Sequence, residues 1–401
     1  MYRFNVSAPG TVILCGKCKK SCVAASLDMR TVLTFSSFPT EAVQKDFIEI
    51  KFSSIRLHMK IPLRIFLLHF FKKNYNRTLN PLQVLQSVQN FIKFLTGFPG
   101  NYDPDNRAHQ LSLQAFFFLL VTISYHKNII INSSFVVELS SELPIGEGLG
   151  SSTSFIVCLA ACFFRWYLLQ KGKVRYIFKS KDLVHIEKYA HICEKIVYNS
   201  SNIINVIISA YGMIQVVKKK KLLKKLNYFS DLPSMKILLV FSHVSQEIEQ
   251  MEVEMKVSMT EYLSSSVDVI LNSIKTIRKK LIQTFKEIKR ETLSLKQQEV
   301  VETDSVRLIN YYKNLIDLFH MNQGLLKALG TSHPNIDAIC SIARNSSLGA
   351  KITAIRAGGY VFILLLPSNS DEYIQDLIKI FVSHNFPTKI ASLNCSGVRV
   401  E

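Results

Sequence analysis

The distribution of apolar positions predicts short strands and longer helices that occur in separate blocks. Short apolar or alternating runs favour strands, and longer stretches with apolar residues three and four apart favour helices. Because strands and helices do not alternate strictly, this order indicates an α+β fold. In the first half, strands are predicted at residues 3–6, 11–14, 30–35, 47–52 and 135–139, and helices at residues 82–95, 107–125, 151–169 and 181–198. In the second half, strands are predicted at residues 235–241, 352–353, 360–366 and 397–400, and helical segments at residues 247–298, 305–329, 337–346 and 370–384.

Other stretches carry weaker signals. Residues 203–209 and 211–217 are rich in β-branched side chains, and residues 260–300 are so highly charged that loose packing is expected. The apolar runs at residues 61–71 and 113–123 are shorter than the roughly 20 residues that a membrane-spanning helix needs. Both runs are therefore predicted to be buried helices.

Composition places the chain among ordered globular proteins. Its 401 residues are 48% hydrophobic and 20% charged, which suggests two domains or one large domain and excludes global disorder. The first residues do not read as a signal peptide, so we expect a cytoplasmic protein with no membrane partner. Cys15, Cys18 and Cys22 are interleaved with lysines and lack a second Cys/His pair at zinc-finger spacing, which favours buried or incidental thiols over zinc.

The formal net charge of +19 would attract polyanions. Basic clusters occur at residues 218–225 and 278–290, but no nucleic-acid-binding motif accompanies them. A basic, solvated surface is therefore favoured, and no nucleic-acid partner is expected. The lysines at residues 218–225 also mark the best candidate boundary, which predicts one domain at residues 1–225 and another at residues 226–401.

The strongest chemical signal is a glycine-rich stretch at residues 144–153. Gly146, Gly148 and Gly150 follow a predicted strand, and two serines then lead into an apolar helix. Strand, glycine-rich loop and helix is an arrangement that turns backbone N–H groups onto a phosphate. No lysine follows Gly150, so the P-loop pattern is not met, and the dinucleotide-binding pattern fails too. From composition alone, a glycine-rich turn with no ligand stays open.

Three regions together resemble the GHMP kinases, and among them the mevalonate kinases. Residues 144–153 match the second motif of that superfamily, P-x-x-x-G-L-G-S-S-[AS], almost completely. Residues 7–16 resemble the first motif, S-A-P-G-K-V-I-L-x-G-E-H. Residues 321–333 and 351–353 resemble the C-terminal region of the mevalonate kinases. The resemblance therefore spans essentially the whole chain.

The resemblance implies a fold, a reaction and a set of site residues. The fold is the two-domain GHMP kinase fold, with a ribosomal S5-like N-terminal α/β domain and a ferredoxin-like C-terminal α+β domain. The reaction is ATP-dependent phosphorylation of mevalonate to 5-phosphomevalonate in isoprenoid precursor biosynthesis. Ser152 and Glu194 would hold Mg²⁺, and a homodimer is the assembly that the family suggests. Contacts to ATP are implied at Ser141, Gly146, Glu147, Gly148, Leu149, Gly150, Ser151 and Ser152.

The chain departs from the family at the positions that act on the substrate hydroxyl. Counting from Glu194 without gaps, the position of the family's catalytic aspartate is Asn205, and the lysine of the first motif is Thr11. An amide cannot accept a proton as a carboxylate does at neutral pH, although it can still hydrogen-bond the substrate hydroxyl. Thr11 has no charge with which to lower the pKa of a base. The resemblance thus places both catalytic positions on neutral side chains.

Further departures surround this pair. The glutamate of the first motif is replaced by Lys17, and only two glycines remain of the third glycine-rich loop, whose residues 354–357 are Ala-Ile-Arg-Ala. Glu247 and Glu249 would repel an anionic substrate if they face it. Two functions therefore stay open: a mevalonate kinase with impaired activity, or a degenerate paralogue that binds nucleotide or a protein partner without efficient phosphoryl transfer.

Overall fold

A long antiparallel strand pair begins the chain, and the sheet and helices are built on it. The computed structural model describes residues 1–16, 21–38, 46–71, 80–200, 203–218, 227–229, 232–244, 264–298, 305–354 and 359–401. The strands are β1 (Arg3–Cys15), β2 (Ser21–Ser37), β3 (Phe47–Phe52), β4 (Leu57–Pro62), β5 (Phe135–Ser141), β6 (Ile214–Lys218), β7 (Asn227–Tyr228), β8 (Met235–Phe241), β9 (Ala350–Ile352), β10 (Tyr360–Leu364), β11 (Thr388–Leu393) and β12 (Arg399–Val400). The helices are α1 (Leu63–Phe70), α2 (Pro81–Ile92), α3 (Arg107–Lys127), α4 (Ser151–Gln170), α5 (Ser180–Val197), α6 (Ile203–Tyr211), α7 (Ser264–Gln297), α8 (Val306–Ala328), α9 (Pro334–Asn345) and α10 (Asp371–Ser383).

The strand β2 joins the strands of both halves of the chain. Its pairing gives the described sheet the order β4-β3-β5-β2-β11-β8-β10-β9, with β1 and β6 also bonded to β2. Leu27, near the middle of β2, lies opposite Leu393 of β11, where the strands of the second half begin. One 17-residue strand therefore fixes the two halves relative to each other.

Helices α3 and α4 form the centre of the first hydrophobic core. Their aromatic side chains pack against each other and against the sheet, as in the pairs Phe116–Phe163 and Phe35–Trp166, with ring centroids 5.5 and 4.8 Å apart. Both helices are long and apolar enough to cross a membrane by length and composition, but 67% and 83% of their apolar windows are buried inside the protein. The predicted buried helix at residues 113–123 is confirmed as part of α3. The one predicted at residues 61–71 is confirmed in part: its first residues end β4, and α1 buries one face while Ile65 and Leu68 are exposed.

The second core lies between the sheet and helices α7 and α8. Helix α7 buries Ile274, Ile277, Leu281, Phe285 and Ile288, which recur every three or four residues and form one apolar face. The expectation that residues 260–300 pack loosely is therefore wrong over this helix, because the charges occupy its other face. The part of the predicted helix at residues 247–263 lies outside the described residues.

The secondary structure of residues 203–209 and the domain boundary are two points that the sequence pattern alone does not decide. Residues 203–209, rich in β-branched side chains, form helix α6, because Ile204, Ile207 and Ile208 at helical spacing pack against Ile13 of β1. The second core also includes residues of β1 and β2, such as Val12. The domain boundary at residue 225 stays a prediction, since residues 219–226 lie outside the described part of the chain.

A buried arginine fastens the last residues of the chain to the first strands. The Arg30 guanidinium donates to the Ser7 hydroxyl at 2.7 Å and to the carbonyls of Ser396 and Gly397 at 2.9 and 2.7 Å. The Ser7 hydroxyl donates in turn to the carboxylate of Glu401, which lies 3.8 Å from Arg30. Because Arg30 is 8% exposed, this network holds β12 against β1 in a largely dry environment.

Replacing Arg30 by alanine is expected to lower the free energy of unfolding by about 3 kcal/mol, because several buried acceptors lose their donor at once. Urea denaturation measures the change. Arg399→Ala is the matched control: Arg399 bonds the same Glu401 but its side chain is half exposed, so the loss should be about 0–1 kcal/mol. Equal losses for the two variants would contradict the buried network.

Candidate active site

The glycine-rich loop leads directly into the first turn of α4. Gly146, Gly148 and Gly150 have φ values of 79°, 79° and 73°, which glycine adopts without strain. Within the described residues no side chain caps α4, and the Ser154 N–H is the first to bond back, to the Gly150 carbonyl at 2.9 Å. The backbone donors of the first turn are therefore available to an anion at this helix end.

Strand β1 lies directly beneath this loop. The Thr11 N–H donates to the Leu149 carbonyl at 2.9 Å, and the Ser154 hydroxyl donates to the Ala8 carbonyl at 2.7 Å. A Cβ on Gly150 would come within 2.3 Å of the Thr11 hydroxyl oxygen, so only glycine fits there. The structure thus brings the first and second motifs into contact at Thr11.

Glu194 on α5 is a buried carboxylate with one open oxygen. It is 5% exposed, and the Thr153 hydroxyl donates to its Oε1 at 3.0 Å. Its Oε2 has no hydrogen-bond partner among the described residues. Burial raises the pKa of Glu194 to about 8, against the opposing effect of the Thr153 hydrogen bond. The group is therefore poised between its neutral and charged forms near physiological pH.

The hydroxyl bonded to Glu194 belongs to Thr153, the residue after Ser152, which the resemblance pairs with Glu194 as a Mg²⁺ ligand. Ser152 is exposed in the same turn of α4, while Thr153 is buried against α5. The buried positions of α4 after it, Ile156 and Val157, follow Thr153 at helical spacing. That periodicity is the signal that could have predicted an inward-facing hydroxyl at residue 153.

Asn205 lies in the first turn of α6, on an element held to β1. The Ser209 hydroxyl donates to the Pro9 carbonyl at 2.9 Å, and Asn205 is one turn away from Ser209 on the same face. Asn205 Oδ1 and the Thr11 hydroxyl oxygen are both shielded from solvent and have no hydrogen-bond partner among the described residues.

These two atoms and Glu194 Oε2 lie on elements that pack against α4. A buried polar atom without a partner costs about 1–3 kcal/mol, so three of them in this region indicate a place for a ligand or water.

The third motif approaches the same loop from the second half of the chain. A Cβ on Gly359 would lie 2.4 Å from the Glu147 carbonyl oxygen, so the backbone here passes directly over the glycine-rich loop. The Ile13 N–H donates to the Thr353 carbonyl at 2.9 Å, and Lys351 donates to the Ile13 carbonyl at 2.9 Å. Burial raises the pKa of the Glu147 carboxyl.

The remaining residues singled out in the sequence are Ser141, the cysteines and several positions outside the described part of the chain. The Ser141 hydroxyl accepts a bond from the Leu143 N–H at 3.2 Å and so helps to shape the entry to the loop. Cys15 and Cys22 are buried, as predicted, and in the described ranges no group of three or more His, Cys, Asp or Glu side chains could hold a metal ion by itself. Predictions for Lys17, Cys18, Glu247, Glu249, residues 219–225 and residues 355–357 concern positions outside the described residues.

Comparison with known proteins shows what the chain is similar to. The GHMP kinases N terminal domain family matches residues 118–213, which include the glycine-rich loop and Glu194. The chain is 24% identical to a mevalonate kinase of Dictyostelium discoideum over 417 aligned residues, covering 99% of this chain and 96% of that protein. It is 26% identical to a mevalonate kinase of Candida albicans, covering 99% of this chain and 89% of that protein.

A solved structure shows the same fold. The crystal structure of the Methanococcus jannaschii mevalonate kinase superposes with a TM-score of 0.65 at 18% sequence identity, covering 97% of this chain and 98% of that one. The α+β arrangement predicted from the sequence is thereby confirmed as the GHMP kinase fold. Residues 118–213 of the chain thus match the GHMP kinases N terminal domain family, and nearly the whole chain is similar to mevalonate kinases in sequence and fold.

Proposed function

We propose that the protein binds ATP at the glycine-rich loop and phosphorylates mevalonate to 5-phosphomevalonate, more slowly than an enzyme with an intact catalytic pair. The observation that carries this proposal is the uncapped start of α4 beside the buried carboxylate of Glu194, whose Oε2 has no hydrogen-bond partner among the described residues. Relatives named mevalonate kinase over nearly the whole chain support the choice of acceptor. On the same grounds we propose cytoplasmic isoprenoid precursor synthesis as its setting and a homodimer as its assembly.

The nucleotide half of the site has the groups that this role needs. The positive-φ glycines and the first turn of α4 would direct backbone N–H groups towards the phosphates of a bound nucleotide. Mg²⁺ prefers oxygen ligands, and Glu194 Oε2 and the Ser152 hydroxyl would hold it. When bound, the ion would neutralise charge on the phosphates. The residues therefore fit Mg²⁺, and the open carboxylate oxygen is the structural reason.

The part of the site that would act on the substrate hydroxyl lacks a proton acceptor. The Asn205 amide can orient a substrate hydroxyl through a hydrogen bond, but it cannot take the proton. Losing a general base typically lowers a rate by roughly 10²–10⁴-fold. Phosphoryl transfer relies largely on positioning and charge stabilisation, so we expect slow turnover rather than none.

A degenerate paralogue that binds nucleotide without efficient transfer is the second candidate. The clustering of the changes favours it, because Thr11 lies against Gly150 and Asn205 lies on a helix bonded to the same strand. Random substitution would have altered distant surfaces as readily as these positions. The rate measurements described below distinguish the two functions.

Mg²⁺–ATP is expected to raise the melting temperature by several degrees, because a ligand that binds only the folded state stabilises it. Ser152→Ala should weaken Mg²⁺–ATP binding about tenfold. Ser383→Ala, on an exposed hydroxyl at the end of α10, is the matched control and should leave binding unchanged. No thermal shift at millimolar nucleotide would refute both candidate functions.

Asn205→Asp is expected to raise mevalonate-dependent turnover about tenfold or more by restoring a proton acceptor, and Thr11→Lys should add to this gain. A coupled assay of ADP release with and without mevalonate measures the rate. Asn310→Asp, at an exposed position of α8, controls for the added charge. An unchanged rate in the double variant would favour the degenerate paralogue.

The affinity for Mg²⁺–nucleotide is expected to increase with pH, because Mg²⁺ binds the ionised carboxylate and burial raises the pKa of Glu194 to about 8. Between about pH 7 and pH 9 the ionised fraction, and with it the affinity, should rise about tenfold. Isothermal titration at several pH values measures this. Glu194→Gln should bind weakly at every pH, and a flat profile in the unaltered protein would contradict the assignment of Glu194.

A further inference from the structure

The connection between α4 and α5 exposes a cluster of apolar side chains. Val174, Tyr176 and Ile177 are 72%, 75% and 77% exposed, although they lie within four positions of one another. Ile130, 66% exposed, is tied to the end of α4 by two hydrogen bonds between its backbone and the Gln170 amide. Single exposed apolar residues are common, but a cluster of this kind indicates an interaction surface.

This connection has a fixed conformation. Arg165, 3% exposed, donates to the carbonyls of Lys173 and Arg175. The Arg175 side chain forms an ion pair with Asp182, the N3 residue of α5. Phe178, 7% exposed, anchors the chain just after the exposed cluster. The buried Arg165 guanidinium thus holds the backbone on both sides of Val174. We call Val174, Tyr176 and Ile177 the apolar tip; buried contacts before and after it keep these side chains on the surface.

The surroundings of the tip are strongly basic. Lys171, Lys173, Lys179 and Lys181 are exposed, and Asp182, which is bound to Arg175, is the single acid between residues 171 and 186. Lys127 and Lys188 add to this field. Burial, followed by the charges of Lys188 and Lys173, lowers the pKa of Lys127.

Helix dipoles account for cations close to the ends of α3 and α4, such as Lys127 and Lys171. They do not account for an exposed apolar tip between the lysines, nor for Lys179 and Lys181 at the start of α5, where a cation is unfavourable.

We propose that residues 171–181 bind the surface of a membrane that contains anionic phospholipid. Val174, Tyr176 and Ile177 enter the headgroup region while the surrounding lysines contact the anionic headgroups. A second copy of this chain is disfavoured as the partner, because a two-fold contact would bring like charges together. This proposal revises the expectation of no membrane partner, which rested on first residues that do not read as a signal peptide and on apolar runs too short to span a membrane.

The proposed surface is remote from the nucleotide site. The 20 residues of α4 span about 30 Å, with the glycine-rich loop at one end and the basic tip at the other. Changes at the tip should therefore leave nucleotide binding intact, which provides an internal check that a variant is folded.

Co-sedimentation with vesicles tests the proposal, using phosphatidylcholine alone and phosphatidylcholine with phosphatidylserine. Binding is expected only with phosphatidylserine and should weaken as salt is added. Two double variants, Tyr176→Ser with Ile177→Ser and Lys173→Glu with Lys179→Glu, should each reduce binding about tenfold or more.

The matched controls change exposed residues elsewhere. Leu82→Ser with Phe94→Ser and Lys313→Glu with Lys389→Glu should bind as the unaltered protein does. All variants are compared by melting temperature and by the shift that Mg²⁺–ATP produces. The proposal is supported if a tip variant loses vesicle binding while its melting temperature and its Mg²⁺–ATP shift stay those of the unaltered protein.

Three results would overturn it. The first is no phosphatidylserine-dependent binding by the unaltered protein. The second is binding that needs the lysines but not Tyr176 and Ile177, which would indicate general attraction to polyanions, an acidic protein included. The third is a dimer in sedimentation velocity that the apolar variant dissociates, without vesicle binding, which would assign the surface to a second copy.

Discussion

Backbone hydrogen bonding to β1 is the constraint on which the whole candidate site depends. The carbonyls of Ala8, Pro9 and Ile13 accept bonds from Ser154 of α4, Ser209 of α6 and Lys351 of β9. These donors are spread along most of the chain, and one buried strand brings them together. Because this scaffold uses backbone acceptors, these bonds do not depend on the side chain at position 11. The fold is thus compatible with the proposed loss of a catalytic pair at Thr11 and Asn205.

Of the four residues proposed for catalysis and metal binding, Thr11, Ser152, Glu194 and Asn205, Glu194 alone can carry a charge. Glu194 has a hydroxyl donor rather than a cation as its described partner, and its burial favours the neutral form. Thr11 and Asn205 contribute no charge. A typical site for phosphoryl transfer combines cations with a proton acceptor, whereas the described part of this one offers oriented dipoles and a carboxylate that a metal would ionise. The arrangement favours holding a nucleotide over activating an acceptor.

The sequence predicted those features that depend on local spacing. The glycines before an apolar helix predicted the loop, and counting from Glu194 assigned the position of the family's aspartate to Asn205, which the structure then places on a helix next to β1. The sequence did not predict Thr153 as the partner of Glu194, helix α6 in a β-branched segment, or the packed face of α7. Each of these depends on contacts between segments that are distant in the chain: α4 with α5, α6 with β1, and α7 with the sheet. Local propensity carries no information about such contacts.

The network around Arg30 has a consequence for how the protein is made. Its acceptors at Ser396 and Gly397 leave the ribosome some 180 residues after β6 is complete, a delay on the order of 10–40 s at ordinary translation speeds. A first core that forms during that time has a guanidinium that has not reached its final partners, and part of the outer edge of β1 is unpaired. Nascent chains of this protein should therefore need chaperone protection until the last strand arrives, and ribosome-stalled fragments lacking residues 396–401 should be protease-sensitive near β1.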